Sequence, residues 1–352
     1  MNVKQSAAFI AENMQHVKIN TDQIGIAADQ ILQKMTELQY DITQWKKHKL
    51  HPKSLDEHSL DWIFVMDLLN FSFWNERSER KRFQVTLDGE VYTGYWSLCA
   101  AMRRSLNEGI PITTPSFYAN CGRDELRYCF RTEEGCDEMP LLETRIDMLQ
   151  TAGKILSEYG GFKKIVEECN HSCQELIKKM IDLFGELFDD TVVYKGKKVS
   201  LQKRVQILVA DIWGCFEGRS FGYFRDISTI TMFADYRVPQ GLLYFKLMEY
   251  SPELLSVLQK HQLHHESLDS DITLNNENML KRGEEYEVEI RGASIHCVEL
   301  LVEKLNKKIK EGKYKIEPVN AIIVDFYLWD ISKEMEAEMK HLPYHRIRSI
   351  YY

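Results

Sequence analysis

The run Leu60-Asp-Trp-Ile-Phe-Val-Met-Asp-Leu-Leu-Asn-Phe-Ser-Phe-Trp74 constrains the fold more than any other part of the chain. It is apolar on nearly every side, and a helix without a polar face has to be enclosed by other elements. The polar residues inside it sharpen the constraint. Asp67, Asn70, Phe71 and Trp74 fall at i, i+3, i+4 and i+7, which in a helix makes one polar and aromatic stripe. A buried polar group without a partner costs about 1–3 kcal/mol. The stripe is therefore either bonded to other protein groups or the wall of a ligand pocket, and both readings stand at this point. With 352 residues, 44% of them hydrophobic and 11% aromatic, the chain can enclose such a segment. We expect one large helical domain over residues 1–352, with two fused lobes as the alternative.

The rest of the chain reads as mainly α with one or two small β-hairpins. Residues 1–44 predict two helices joined near Asn20-Thr-Asp22, with no chemistry of their own. Residues 83–93 alternate as a hairpin turning on Asp88-Gly89, and Val192–Val199 predicts a second, smaller one. Helices are expected over 94–109, over 140–188 with a break at Gly160-Gly161, over 201–216, after Ser251-Pro252, and over 284–310. The polar run Glu266–Asn278 reads as a surface loop.

Composition excludes several function classes. Lys and Arg total 45 against 53 Asp and Glu, a net charge of -8, which disfavours stable nucleic-acid binding through neutralised phosphates. No apolar run approaches the length of a membrane span. The eight cysteines show no CxxC and no pairing with histidine of the kind that holds zinc. Cys169 and Cys173, one helical turn apart, read as packing. Phosphate-binding and dinucleotide loops, HExxH, GxSxG and kinase signatures are missing, so neither metal nor cofactor is expected. The expected compartment is the cytoplasm, with the nucleus open as a second.

Acids embedded among aromatics recur three times: Asp67 to Trp74, Phe233 to Tyr236, and Asp325 to Asp330. In Phe221–Met248 the spacing of Phe224, Ile227, Ile230 and Phe233 predicts a helix, followed by a polar connection and a second helix with Pro239 in its first turn. Asp235 sits at the connection. It is either a helix cap or a catalytic carboxylate kept ionised by the helix end. Asp325 and Trp329 share one face whether the segment is helix or strand. Asp211 reads as a second site carboxylate or as half of a border salt bridge with Arg204. Flat heterocycles stack on aromatic faces, and a carboxylate can accept two hydrogen bonds from a guanine-like edge.

Leu69-Asn-Phe-Ser-Phe-Trp74, Tyr92-Thr-Gly-Tyr-Trp96, Phe233-Ala-Asp-Tyr-Arg-Val-Pro-Gln240 and Val324-Asp-Phe-Tyr-Leu-Trp-Asp330 together resemble the queuosine salvage protein family, the queuosine 5′-phosphate N-glycosylases, from about His51 onward. The resemblance implies a helical fold related to helix-hairpin-helix DNA glycosylases. It also implies hydrolysis of a small nucleotide, queuosine 5′-phosphate, to queuine and ribose 5-phosphate. Carried over by motif, Asp235 would be the catalytic carboxylate, with His51, Phe233, Asp325, Trp329 and Asp330 around the 7-deazaguanine base. Arg237, Lys203 and Arg204 are candidates for the 5′-phosphate. The divergent N-terminal helices receive no role. A DNA-repair-type glycosylase and a non-enzymatic helical interaction protein are the alternatives; the acidic balance opposes the first and the embedded acids oppose the second.

Overall fold

The structure, a computed structural model, describes residues 1–74, 82–267 and 280–352, without the side chains of 261–267, and is built mainly from α-helices. The first half carries α1 (Val3–Asn13), α2 (Thr21–Leu38), α3 (Gln44–Lys47), α4 (Glu57–Leu68), α5 (Tyr95–Asn107), α6 (Pro115–Asn120), α7 (Arg123–Cys129) and α8 (Leu142–Tyr159). The second carries α9 (Phe162–Glu168), α10 (Cys173–Phe184), α11 (Lys203–Cys215), α12 (Val238–Tyr244), α13 (Pro252–Ser267), α14 (Glu285–Lys310), α15 (Ala321–Glu334) and α16 (Glu336–Met339).

Strands occur in antiparallel pairs. The hairpins β2 (Gln84–Leu87) with β3 (Glu90–Thr93) and β4 (Thr191–Tyr194) with β5 (Lys197–Ser200) are the two expected from sequence. Both turn on a residue and a glycine at positive φ, Asp88-Gly89 and Lys195-Gly196, the geometry that matches strand twist. A third pair was not legible: β1 (Val17–Ile19) follows α1 and pairs with β6 (Met248–Tyr250), Val17 opposite Tyr250. The two expected N-terminal helices are present, with this strand in the connection just ahead of Asn20. Most of the polar run after α13 lies in residues 268–279, outside the described residues.

Buried side chains gather in two clusters. One surrounds α4 with α5 and α8 to α11; the other surrounds α14 with α1, α2, α12 and α15. The α1 and α14 backbones cross so closely that a Cβ at Gly292 would meet Ile10 at 2.5 Å. The apolar run is buried without a break from Trp62 to Ser72, but its helix stops at Leu68. The last turn of a helix leaves carbonyls without intrahelical partners, and here buried cations take them. Arg204 donates to the Leu68 carbonyl at 2.5 Å, Arg145 to those of Leu69 and Phe71, and Lys203 to that of Asn70 at 2.9 Å. The chain then runs irregularly through Ser72, at positive φ, to Trp74. Asp67, Asn70, Phe71 and Trp74 therefore do not form a helical stripe, although Asn70 still donates to Asp67 at 3.2 Å.

Candidate active site

An extended segment, Ile230 to Asp235, runs between the two clusters. Met232 and Ala234 pack into one and Phe233 into the other, as alternation along extended chain requires. Its backbone is satisfied by buried side chains of three helices. Gln206 of α11 accepts from Thr231 N–H at 3.0 Å, Asp325 of α15 accepts from Phe233 N–H at 2.9 Å, and Arg291 of α14 donates to the Ala234 carbonyl at 2.8 Å. The helix predicted over 224–233 is not formed. Short 3-10 turns at Ser220–Gly222 and Ile227–Thr229 precede the extended chain. The residues of the third-residue period, Phe224, Ile227, Ile230 and Phe233, all pack on one cluster, but through a 3-10 turn and extended chain instead of a helix face.

Asp235 ends this segment. Its Oδ1 accepts from the Arg237 and Val238 amides at 2.8 and 2.9 Å, at the start of α12, where Pro239 occupies the first turn as expected. Its Oδ2 has no partner among the described residues, and the side chain lines a cavity of about 460 Å³. One oxygen caps the turn and the other is left to the cavity. Burial pushes the carboxyl above its ordinary range, opposed first by Lys203 and then by the two amides. Desolvation thus outweighs the helix end that was expected to keep it ionised.

The cavity gathers residues far apart in sequence. His51, Asn70, Phe71, Trp74, Asp211, Phe233, Asp325, Trp329, Asp330 and Arg237 all line it with Asp235, as does Lys203. Arg204 does not, being occupied by the Leu68 and Leu187 carbonyls, and it forms no ion pair with Asp211. The acids respond to enclosure. Burial pushes Asp325 and Asp211 well above the usual carboxylate range, and Asp67, just behind the wall, rises for the same reason. Burial drives Lys203 the other way, below the usual lysine range, against the pull of Asp235 and Asp67. Several carboxyls around one ammonium in a poorly solvated space cannot all ionise.

An aromatic wall faces these acids. His51 stacks on Trp45 at 4.0 Å between ring centroids, its Nδ1 2.6 Å from the Trp45 carbonyl and its Nε2 3.1 Å from the Tyr95 hydroxyl. That pattern has Nδ1 donating and Nε2 accepting, and burial lowers the ring to about 3, so His51 is neutral near pH 7. Trp96 lies edge-on to Trp329 at 5.9 Å and stacks with His48. Sequence reading gave no role to Tyr40, Gln44, Trp45, His48 or Tyr344, all of which line the cavity. The Tyr95-Trp96 pair was noticed only as part of a motif. Phe326 and Lys333 could have been found, because with Trp329 and Asp330 they fall on one face of α15. No helix of the described residues is long and apolar enough to cross a membrane, and no three of their His, Cys, Asp and Glu side chains are grouped to hold a metal ion.

The model of the queuosine salvage protein family matches residues 50–352. The chain belongs to that family. Among curated relatives, a Bos taurus protein named queuosine 5′-phosphate N-glycosylase/hydrolase is 43% identical over 99% of this chain and 98% of its own length. A Mus musculus protein of the same name is 41% identical over 100% and 99%, and one from Sphaerobacter thermophilus 32% identical over 100% and 98%. The salvage-family model thus begins after Lys49, while the relatives align through the N-terminal helices as well.

Proposed function

We propose that this chain hydrolyses the N-glycosidic bond of queuosine 5′-phosphate, releasing queuine for salvage into tRNA and ribose 5-phosphate. The observation that carries this reading is Asp235, with one oxygen fixed by two amides and the other free in an aromatic-lined cavity that 460 Å³ makes large enough for a nucleotide. The curated relatives carry that activity in their name.

Cleavage between the anomeric carbon and the base nitrogen builds positive charge on the sugar. An anionic Asp235 beneath that carbon interacts more strongly with the transition state than with the neutral ground state. At 4 Å and an effective dielectric near 20 the attraction is about 4 kcal/mol, and the approaching positive charge itself favours the ionised form of a carboxyl that burial has raised. Enzymes supply at least about 8 kcal/mol in all. Positioning between Phe233, Trp96 and Trp329, activation of water and assistance to the leaving base provide the remainder. A 7-deaza base has no N7 to accept a proton, so assistance comes from elsewhere on the ring. Asp325 suits that role: the Phe233 amide holds its Oδ2, and burial keeps a proton available for donation to a base acceptor. Arg237 is the proposed phosphate ligand; its guanidinium also reaches Glu336 at 2.9 Å.

Incubation of the purified protein with queuosine 5′-phosphate, followed by chromatography, tests the proposal. Free queuine is expected. Base release from duplex DNA instead would favour the repair-type reading, and no release from either substrate would favour a non-enzymatic role.

A further inference from the structure

The segment outside the family model contributes a wall of the cavity, and one of its residues touches a site acid directly. α2 ends with Gln39 in the left-handed region, φ 49°, and the Gln39 and Tyr40 amides both return to the Met35 carbonyl. This reversal closes the helix and sends Tyr40 back across it, where the ring is buried and lies edge-on to Tyr327 of α15 at 5.4 Å. The Tyr40 hydroxyl then donates to Asp330 Oδ2 at 2.5 Å, across 290 positions of sequence. Asp330 itself is solvent-accessible and lines the cavity, one residue from Trp329, and its Oδ1 has no partner among the described residues.

An accessible aspartate on a helix normally samples several rotamers. A donor fixed in the core removes that freedom, because the phenol cannot follow the carboxylate if it turns away. We propose that Tyr40 is a positioning residue of the active site: its buried phenol holds Asp330 so that Oδ1 accepts a hydrogen bond from a donor on the base moiety of the nucleotide. The inference rests on the function proposed above. It also explains why an N-terminal segment beyond the family model belongs to the working enzyme: the segment supplies the anchor for an acid that α15 presents but does not fix. The bland alternative, Tyr40 as a core residue whose hydroxyl merely needs an acceptor, predicts a change in stability alone.

Tyr40→Phe removes the hydroxyl and keeps the ring on Tyr327. With queuosine 5′-phosphate as substrate, KM is expected to rise about tenfold, the scale of one hydrogen bond to a charged group, with kcat within about twofold. Asp330→Asn should raise KM at least as much, and adding Tyr40→Phe to it should produce no further rise, because the two act through one contact. An unchanged KM in Tyr40→Phe, or an equal further rise in the Asp330→Asn background, overturns the inference. Melting temperatures of all variants show whether a loss is one of folding. Wild-type protein that releases no queuine overturns the proposed function, and this inference falls with it; wild-type turnover with an indifferent Tyr40→Phe overturns the inference alone.

Discussion

Two regions of this molecule bury several charges each, and they do so in opposite ways. Around Arg291 every charge is answered: its guanidinium meets Asp190 at 2.5 Å, Glu287 at 2.9 Å and the Ala234 carbonyl, while Glu287 also accepts from the Gly283 amide. Around Lys203, on the cavity wall, Asp67, Asp211, Asp235 and Asp325 share one ammonium. Asp67 Oδ2 is buried without a partner, Asp235 Oδ2 and Asp330 Oδ1 have none among the described residues, and the carboxyls of Asp211 and Asp325 are pushed upward by enclosure. A closed network holds a fold in register; a set of under-satisfied acceptors beside an open volume is an arrangement that a ligand completes. The contrast separates scaffold from site without reference to any relative.

The contrast can be tested from its strongest side downward. Arg291→Met leaves Glu287 without a cation in the core and Asp190 with only Arg282 at 3.5 Å, and urea denaturation should show a loss of about 3–5 kcal/mol; a loss under about 1 kcal/mol would remove the distinction. Asp235→Asn should do the reverse, keeping the urea midpoint while slowing single-turnover queuine release about a thousandfold, the equivalent of ~4 kcal/mol of lost charge stabilisation. Full activity in that variant would take Asp235 out of the mechanism. His345, beside Arg291, is the flaw in the closed region: it is buried with no partner for either ring nitrogen, and burial lowers it from 6.5 to about 3. Between those values the unfolded chain binds the proton and the folded one does not, so stability falls as pH drops below 6.5. His345→Phe should therefore gain about 2 kcal/mol on the wild type between pH 8 and pH 5. A pH-independent difference would contradict the burial assigned to that ring. Asp67→Asn has the opposite pH sense. A carboxyl raised by burial contributes its stability at low pH and loses it as pH climbs from 3.8 through the folded value, so the variant should gain on the wild type at pH 8 but not at pH 4.

Sequence reading recovered what is local. Asp88-Gly89 and the 192–199 hairpin, Pro239 at the start of α12, Ser251 ahead of α13 and the acid-aromatic pairing of Asp325 with Trp329 all depend on neighbours in the chain. What it could not reach was decided by distant partners. The 230–235 segment is extended because Gln206, Arg291 and Asp325 supply its hydrogen bonds, and no period within the segment encodes them. The run after Leu68 leaves the helix because Arg145, Lys203 and Arg204 donate to its carbonyls. Tyr40 looked inert since its meaning depends on a residue 290 positions away. For the site, residue types were legible from the motifs; the N-terminal share of the wall was not.

The ammonium at position 203 holds the carbonyl and side chain of Asn70, just past the end of α4, and, with the same group, faces Asp235 electrostatically. Construction of the reaction centre is therefore inseparable from completion of the core. Inherited or engineered changes at this lysine would show up as missing protein rather than idle protein, so a cellular assay that scores only product would misfile a folding defect as a defect in chemistry.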